Sequence, residues 1–292
     1  MGGLRTLLTG ACCAWPLPMD ASCARSARQL YRDAAAEAGI RNELSCDGTM
    51  MASELAANTL HAAKALHARP DAGVRGGGRP VTARPELWLY LRGSGMTREL
   101  VCKVFDASPG WTLGRAPGSV PLRASAGAVS GRGLQIVHEL SGGRWGYHLS
   151  RSRLGGWKVR GKAVWFALPA PAREHVPAVP GRSDAWAADL AVMRRCRRLS
   201  ARQATGELEA MLSARGLGGR LRRTDQPAAD MSVLWVPRGL TLCCRDGAVS
   251  LRTPAGDSQH WTYADLVEVS ERAVWVHEEI EQEVASAAGG PG

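Results

Sequence analysis

Two polar residues one helical turn apart, Glu54 and Asn58, are the first candidates for chemistry in this sequence. On a predicted helix, their i, i+4 spacing makes both side chains project from the same face. A carboxylate placed in this way can act as a general base toward a hydroxyl group or water. An amide oxygen one turn further on can be a ligand of Mg2+, a cation that takes few protein ligands and keeps water and phosphate oxygens.

Two features further along the chain extend this pair into a candidate ligand site. Asp106 ends an apolar segment, where its carboxylate can accept a hydrogen bond from an exocyclic amino group such as that of adenine. Gly131-Arg132-Gly133 precedes a predicted helix, whose free N–H groups attract phosphate. The Gly/Pro-rich segment 107–130 is long enough to close over a ligand. Each feature alone is typical of a surface residue or a turn, and it is their order that indicates a nucleotide site.

The predicted elements of the first half hold these residues on helices and strand ends. A helix runs from a cap at Asp20 or Ser22 to about residue 38, and a second runs over 45–66 with an apolar stripe that includes Met51 and Leu55. The segment 15–18 contains two prolines and reads as an edge strand, because proline is tolerated there and not in the interior of a sheet. The other predicted elements are strands at 86–92, 100–105, 144–149 and 163–168, a short strand at 157–159 and a helix at 131–140. The first two of these strands are expected to form an antiparallel hairpin.

The second half is predicted to fold separately, because four prolines between residues 169 and 181 mark a linker. Helices are expected at 183–198 and 201–215, the second with a capping box of Ser200 and Gln203. Strands follow at 231–236, 240–245 and 248–252, and a final helix runs from a cap at Thr262 to about residue 284. We therefore divide the chain into a tail (1–13), a first domain (14–170), a linker (171–182), an α+β domain (183–286) and a tail (287–292).

Composition restricts the partners and the compartment. The chain has 292 residues and a formal net charge of +10, which is almost entirely arginine. These arginines are scattered except at 194, 195, 197 and 198, a cluster typical of a solvated helix face or of a docking patch for an acidic partner. Because nucleic acid binding would rest on arginine content alone, we expect no such partner. The cysteines show no zinc spacing, and no apolar run could span a bilayer, so we expect a cytoplasmic protein without membrane contact.

The order of the motifs resembles the GHKL superfamily, which includes DNA gyrase, heat-shock chaperone ATPases, sensor histidine kinases and the bacterial anti-sigma-factor serine kinases. The N box of the family is similar to residues 53–62, and its first glycine box to residues 105–110. The second glycine box is similar to residues 130–137, followed by 144–146, and the closing strand to residues 161–168. The likeness covers about residues 14–170 and is strongest to the short, anti-sigma-type kinase-like proteins of actinobacteria.

The resemblance implies an α+β fold: a Bergerat-type sandwich, with a mixed, mostly antiparallel sheet and helices on one face, beside a smaller C-terminal α+β domain. It also implies ATP and Mg2+ as cofactors, with Glu54 as general base, Asn58 as the metal ligand and Asp106 as the adenine reader. The remaining pocket residues that it implies are Ala62, Ser108, Gly110, Gly131, Arg132, Gly133 and Leu134. The chain departs from the D-x-G-x-G of the family, because Ser108-Pro109 stands at its centre and proline removes a backbone N–H.

Two functions are compatible with these residues. The first is a protein-serine kinase that phosphorylates a small partner protein, of the sigma-factor or anti-sigma-factor-antagonist type. The alternative is a nucleotide-gated binding module without phosphotransfer, in which ATP orders the segment 107–130. A sensor histidine kinase fits less well, since no membrane span or phosphoacceptor helix precedes the N box. The sequence leaves open a homodimer and the role of residues 183–286.

Overall fold

The computed structural model of the protein describes residue 7 and residues 11–38, 40, 42–67, 84–107, 132–155, 159–170 and 199–288. These residues form two five-stranded antiparallel sheets and five α-helices, and the fold class is therefore α+β. The predicted linker 171–182 and the predicted helix 183–198 lie outside the described residues. Among the residues that are described, no helix combines the length and the apolar character that a bilayer-spanning segment needs.

The first sheet has the strand order β1-β2-β3-β5-β4, and each of its described pairings is antiparallel. We find no parallel pair of the kind that a mixed sheet would contain among these strands. β1 lies at the edge, as its prolines predict, although it begins two residues earlier than expected. The strands are β1 (Cys13–Pro16), β2 (Glu86–Arg92), β3 (Glu99–Asp106), β4 (Trp145–Arg151) and β5 (Arg160–Pro169).

Three helices cover one face of this sheet: α1 (Cys23–Glu37), α2 (Asn42–His67) and α3 (Gly133–Leu140). Their core is built from fully buried side chains such as Tyr31, Met51 and Phe166. The helical stripe predicted from Met51 and Leu55 is thus confirmed at these two positions. Leu7, which falls in the predicted tail 1–13, is also buried in this core.

The first sheet and its three helices form the first unit, and residues 199–288 form the second. The second unit places two helices against one face of the other sheet, whose order is β10-β9-β8-β7-β6. Its elements are α4 (Ala201–Ala214), β6 (Arg222–Gln226), β7 (Met231–Val236), β8 (Leu240–Arg245), β9 (Ala248–Arg252), β10 (Ser258–Thr262) and α5 (Leu266–Ala288). The capping box of Ser200 and Gln203 is present, and the three predicted strands have their predicted bounds. Its core is separate from that of the first unit.

In the second unit, the predicted hairpin turn is present, whereas the predicted helix cap at Thr262 is not. Asp246 and Gly247 both have positive φ, 51° and 79°, as the expected tight hairpin turn between β8 and β9 requires. Thr262 does begin the last helical segment, but its side chain caps no backbone N–H there. Its hydroxyl donates instead to the Asp265 carboxylate, at 3.1 Å, and a short 3-10 turn precedes α5.

Helix α5 joins the two units by lying across the other face of the first sheet. The His148 ring of β4 stacks on Trp275 of α5, with ring centroids 5.1 Å apart. The Tyr90 hydroxyl of β2 donates to Glu268 at 2.5 Å, and the backbone N–H of Gly93 donates to Asp265 at 2.6 Å. Helices of the first unit therefore occupy one face of its sheet, whereas a helix of the second unit covers the opposite face.

Candidate nucleotide site

The middle of α2 carries the predicted pair Glu54 and Asn58, both partly exposed. Around them, α2 buries small and apolar residues against the sheet, including Ala52, Leu55 and Ala56. The pair therefore lies on the side of α2 next to the buried stripe. Because both residues are in the interior of a 26-residue helix, their backbone positions are fixed relative to each other.

Gly133, the first residue of α3, lies directly against this pair. A Cβ atom built on Gly133 would be 2.9 Å from Oε2 of Glu54 and 3.1 Å from Nδ2 of Asn58. Glycine is therefore the residue that lets the backbone at the start of α3 approach both polar side chains. The structure thus brings together three of the residues that the sequence singled out, from segments about 75 positions apart in the chain.

The start of α3 has the properties of an anion-binding helix terminus. Arg132 is its N-cap residue and is exposed, and its side chain makes no capping hydrogen bond. The first N–H groups of a helix have no intrahelical acceptor, so they remain available to a ligand. The helix begins at Gly133 rather than at the predicted residue 131. Leu134 is partly buried and packs against the first core.

Asp106 ends β3 on the helix-covered face of the sheet, since it continues the alternation of the core residues Cys102 and Val104. Its side chain is buried, and its Oδ1 atom accepts a hydrogen bond from Nζ of Lys162, at 2.9 Å. Lys162 lies opposite Asp106 in the register of β3 and β5. The expected adenine reader is therefore one half of a buried ion pair, which the sequence did not predict.

Gly161 allows the two strands to come together at this point. A Cβ atom on Gly161 would lie 2.0 Å from the backbone oxygen of Asp106, a distance that a real side chain cannot adopt. The glycine before Lys162 is thus required by the close approach of β5 to the end of β3. In sequence this glycine belongs to the segment similar to the closing strand of the family.

The structure describes only some of the other predicted pocket residues. Ala62 lies one turn beyond Asn58 on α2 and is partly buried. Ser108, Gly110 and Gly131, together with most of the segment 107–130, lie outside the described residues. The structure therefore describes the Glu54, Asn58 and Gly133 end of the candidate site and the Asp106 strand end, but not the segment between them.

At the Gly133 end of the candidate site, the described residues are suitable for binding Mg2+ and phosphate. A carboxylate, an amide oxygen and a glycine-lined helix start meet at one place, and these are suitable groups for a phosphate-bound hard cation. Within the described ranges, no group of three His, Cys, Asp or Glu side chains could hold a metal on its own. At the strand end, the Asp106 carboxylate can accept a hydrogen bond, but it does so beside the Lys162 ammonium group.

The strongest electrostatic feature lies on the opposite face of the first sheet, where α5 docks. The Glu271 carboxylate is buried against Arg215, Arg153 (2.6 Å) and Lys103 (3.4 Å). Burial alone would raise the pKa of this carboxyl, but the Arg215 and Arg153 guanidinium groups hold the pKa well below its usual value. The sequence analysis missed this cluster, because its members come from β3, the segment after β4, the end of α4 and α5.

His148 borders the same cluster. Burial and, to a smaller extent, the neighbouring Lys103 ammonium group together lower the pKa of His148 to about 3. Its Nε2 atom lies 3.1 Å from Nζ of Lys103, and its Nδ1 atom lies 2.9 Å from the oxygen of Leu149. A neutral ring with its proton on Nδ1 satisfies both contacts, so His148 is an uncharged part of the joint between the two units.

No family model, no curated protein and no solved structure matches the chain.

Proposed function

We propose that residues 14–170 form a Bergerat-type domain that binds ATP with Mg2+ between α2, α3 and the helix-covered face of the first sheet. The observation that supports this proposal is the contact of Gly133 with Glu54 and Asn58. A helix start without a side-chain cap faces a carboxylate and an amide, an arrangement suited to phosphate oxygens and a shared cation. The proposed domain is the nucleotide-binding part of a cytoplasmic regulatory protein.

Each described residue has a distinct task in this proposal. Asn58 contributes its amide oxygen to Mg2+, and the backbone at Gly133 and Leu134, with Arg132 beside it, surrounds the phosphates. The Asp106 carboxylate accepts a hydrogen bond from the adenine amino group, while its Oδ1 atom also accepts one from Nζ of Lys162, at 2.9 Å. Ala62 contributes apolar surface one turn beyond Asn58, and the resemblance implies Ser108, Gly110 and Gly131 as further pocket residues, which lie outside the described residues.

The activity that we propose is transfer of the γ-phosphoryl group to a serine of a small partner protein, of the sigma-factor or anti-sigma-factor-antagonist type. Bound Mg-ATP would supply the phosphoryl group and neutralise its charge during transfer. Glu54 accepts the proton of the attacking serine hydroxyl, and the α2 backbone keeps this carboxylate beside the start of α3. Positioning by α2 and α3 is the main contribution of the protein, because phosphoryl transfer demands little other covalent chemistry.

A transfer assay tests the proposed activity. Full-length protein is incubated with ATP labelled at the γ-phosphate, Mg2+ and purified candidate partners, and label on the partner is measured. We expect Glu54→Gln to lower transfer at least a hundredfold while ATP binding changes less than threefold. Glu43→Gln, at the exposed start of the same helix, is the matched control and should behave like wild type. Full transfer by Glu54→Gln would exclude the assigned base.

The second candidate function is nucleotide-gated binding without transfer. Pro109 in the first glycine box favours it, because it removes a backbone donor at the adenine end. The docking of α5 on the first sheet also favours it, since the second unit is then in contact with strands that reach the candidate site. Saturable ATP binding that changes partner affinity, without label on any partner, would support this function over the kinase.

A further inference from the structure

The second sheet has one face covered by α4 and α5 and one face without a covering element among the described residues. Residues with their side chains toward the helices, such as Leu234, Leu242 and Val249, are fully buried. The alternate residues point to the opposite side and form three rows across the five strands. Each row holds one residue from each strand, in the order β6 to β10. The central row is Thr224, Val233, Cys243, Ser250 and His260. One flanking row is Arg222, Trp235, Thr241, Arg252 and Ser258, and the other is Gln226, Met231, Arg245, Ala248 and Thr262.

These three rows, which we call the open sheet face, contain arginine and no acidic residue. Arg222, Arg245 and Arg252 lie on it, and none of its positions is Asp or Glu. Arg245 pairs with Asp246 of the adjoining turn, at 3.0 Å. Arg222 and Arg252 are exposed and make no ion pair with any residue that the structure describes. The face therefore has positive charge at Arg222 and Arg252 that no described acidic residue pairs with.

One row places an exposed aromatic ring between the two unpaired arginines. Trp235 is 50% exposed, although its strand β7 lies inside the sheet rather than at its edge. Arg222 is its direct partner on β6, and Arg252 lies two strands away on the other side, beyond Thr241. Neighbouring strands are about 4.8 Å apart, so the row spans roughly 20 Å. Trp235 is not among the residues of the second core, and its exposed half is available to stack on a planar group.

We propose that the open sheet face binds single-stranded RNA. A base stacks on Trp235, while Arg222 and Arg252 contact phosphates on either side of it. Thr241, the direct partner of Trp235 on β8, carries a hydroxyl group, as do Ser250 and Ser258 on the two strands beyond, and hydroxyl groups suit the 2′-hydroxyl of ribose. A flat sheet with exposed aromatic and arginine side chains accepts unpaired bases, whereas a duplex keeps its bases stacked out of reach.

This inference differs from the expectation drawn from the sequence. The arginines are scattered along the chain, and only the strand register brings Arg222, Arg245 and Arg252 onto one face. The proposal is independent of ATP binding in the first unit. An acidic protein partner would also be attracted by the arginines, but its carboxylates would not stack on the ring of Trp235.

Fluorescence anisotropy with a labelled 12-nucleotide mixed-sequence RNA tests the proposal on the full-length protein. We expect binding that weakens with salt, and about tenfold weaker binding by Trp235→Ala but not by Trp235→Phe. The double variant Arg222→Ala/Arg252→Ala should lower the slope of log K against log salt by roughly 1.4. Arg202→Ala removes one positive charge from the helix-covered side, where Arg202 is 76% exposed, and should change the affinity less than twofold.

The comparison ligands decide between RNA and other polyanions. The same sequence as single-stranded DNA should bind several-fold more weakly, and the RNA duplex more weakly still. Equal binding of duplex, of single-stranded DNA or of polyglutamate would overturn the assignment, as would an affinity that Trp235→Ala leaves unchanged. Circular dichroism and thermal unfolding of each variant exclude misfolding, which is not expected because Trp235 and both arginines are on the surface. Absence of RNA binding at low salt would also contradict the proposal.

Discussion

The Nζ atom of Lys162 lies 2.9 Å from Oδ1 of Asp106, and both side chains are almost completely buried. The pair joins the end of β3 to the start of β5 on the face that α2 and α3 cover. A buried ion pair is costly to break, because removal of one partner leaves the other charge without compensation. Asp106 therefore stabilises the fold in addition to its proposed contact with adenine.

A double-mutant cycle in urea unfolding measures this stabilising contribution. Lys162→Met should lower the free energy of unfolding by about 3–5 kcal/mol, because it removes the cation that lies against the buried Asp106 carboxylate. Asp106→Asn should also destabilise, and the double variant should lose less than the sum of the two single variants. Additive losses would contradict direct coupling of the two side chains.

The docking of α5 depends on Glu271, the one carboxylate in contact with Arg215, Arg153 and Lys103 among the described residues. Glu271→Gln should lower the free energy of unfolding by about 3–5 kcal/mol, because the buried Arg215 and Lys103 and the partly buried Arg153 lose their shared counterion. Glu283→Gln, exposed on the same helix, should stay within about 0.5 kcal/mol of wild type. Chemical denaturation of both variants provides the comparison, and equal stability would show that the cluster does not hold the units together.

The neutral state of His148 makes stability depend on pH. Its folded pKa is about 3, whereas the ordinary value of the unfolded chain is 6.5, so the unfolded state binds more protons between these values. The stability that neutral His148 contributes to the folded state is fully present above about pH 6.5 and is lost as the pH falls toward 3. At pH 5, wild type should have lost about 2 kcal/mol of unfolding free energy through this residue.

The matched variant for this titration is His148→Gln, which keeps a polar side chain at the position but cannot be protonated. Urea unfolding at pH 7, 6 and 5 should show a steeper loss of stability in wild type than in the variant. The range stays above the usual pKa of carboxyl groups, so that the Glu271 cluster does not contribute to the difference. Parallel pH curves would contradict a buried neutral histidine.

Local pattern was sufficient to predict much of the fold. The strands at 86–92, 231–236, 240–245 and 248–252 have their predicted bounds, because alternating apolar residues and a strong turn signal fix them. β6 and β10 were not predicted, since they consist mainly of polar residues and contain no fully buried residue. Their strand conformation is imposed by pairing with β7 and β9 rather than by their own sequence.

The candidate site shows the same division between local and long-range information. The i, i+4 pair of Glu54 and Asn58 and the helix after Gly133 could be read from spacing, and the structure places the three residues together. The ion pair of Asp106 with Lys162 could not be predicted from spacing, because it depends on the register of two strands more than 50 residues apart. The Glu271 cluster likewise requires the docking of the second unit, which no local pattern encodes.

Isothermal titration of Mg-ATP into the full-length protein tests the central claim, that the contact of Gly133 with Glu54 and Asn58 is a nucleotide site. Wild type should bind one ATP, at least tenfold more tightly with Mg2+ than without it. Gly133→Ala should lower the affinity at least tenfold, because the added methyl group lies within 3 Å of the Glu54 carboxylate. Gly219→Ala adds its methyl group to open space and should bind like wild type. Absence of ATP binding by wild type, or binding that Gly133→Ala leaves unchanged, would contradict the claim.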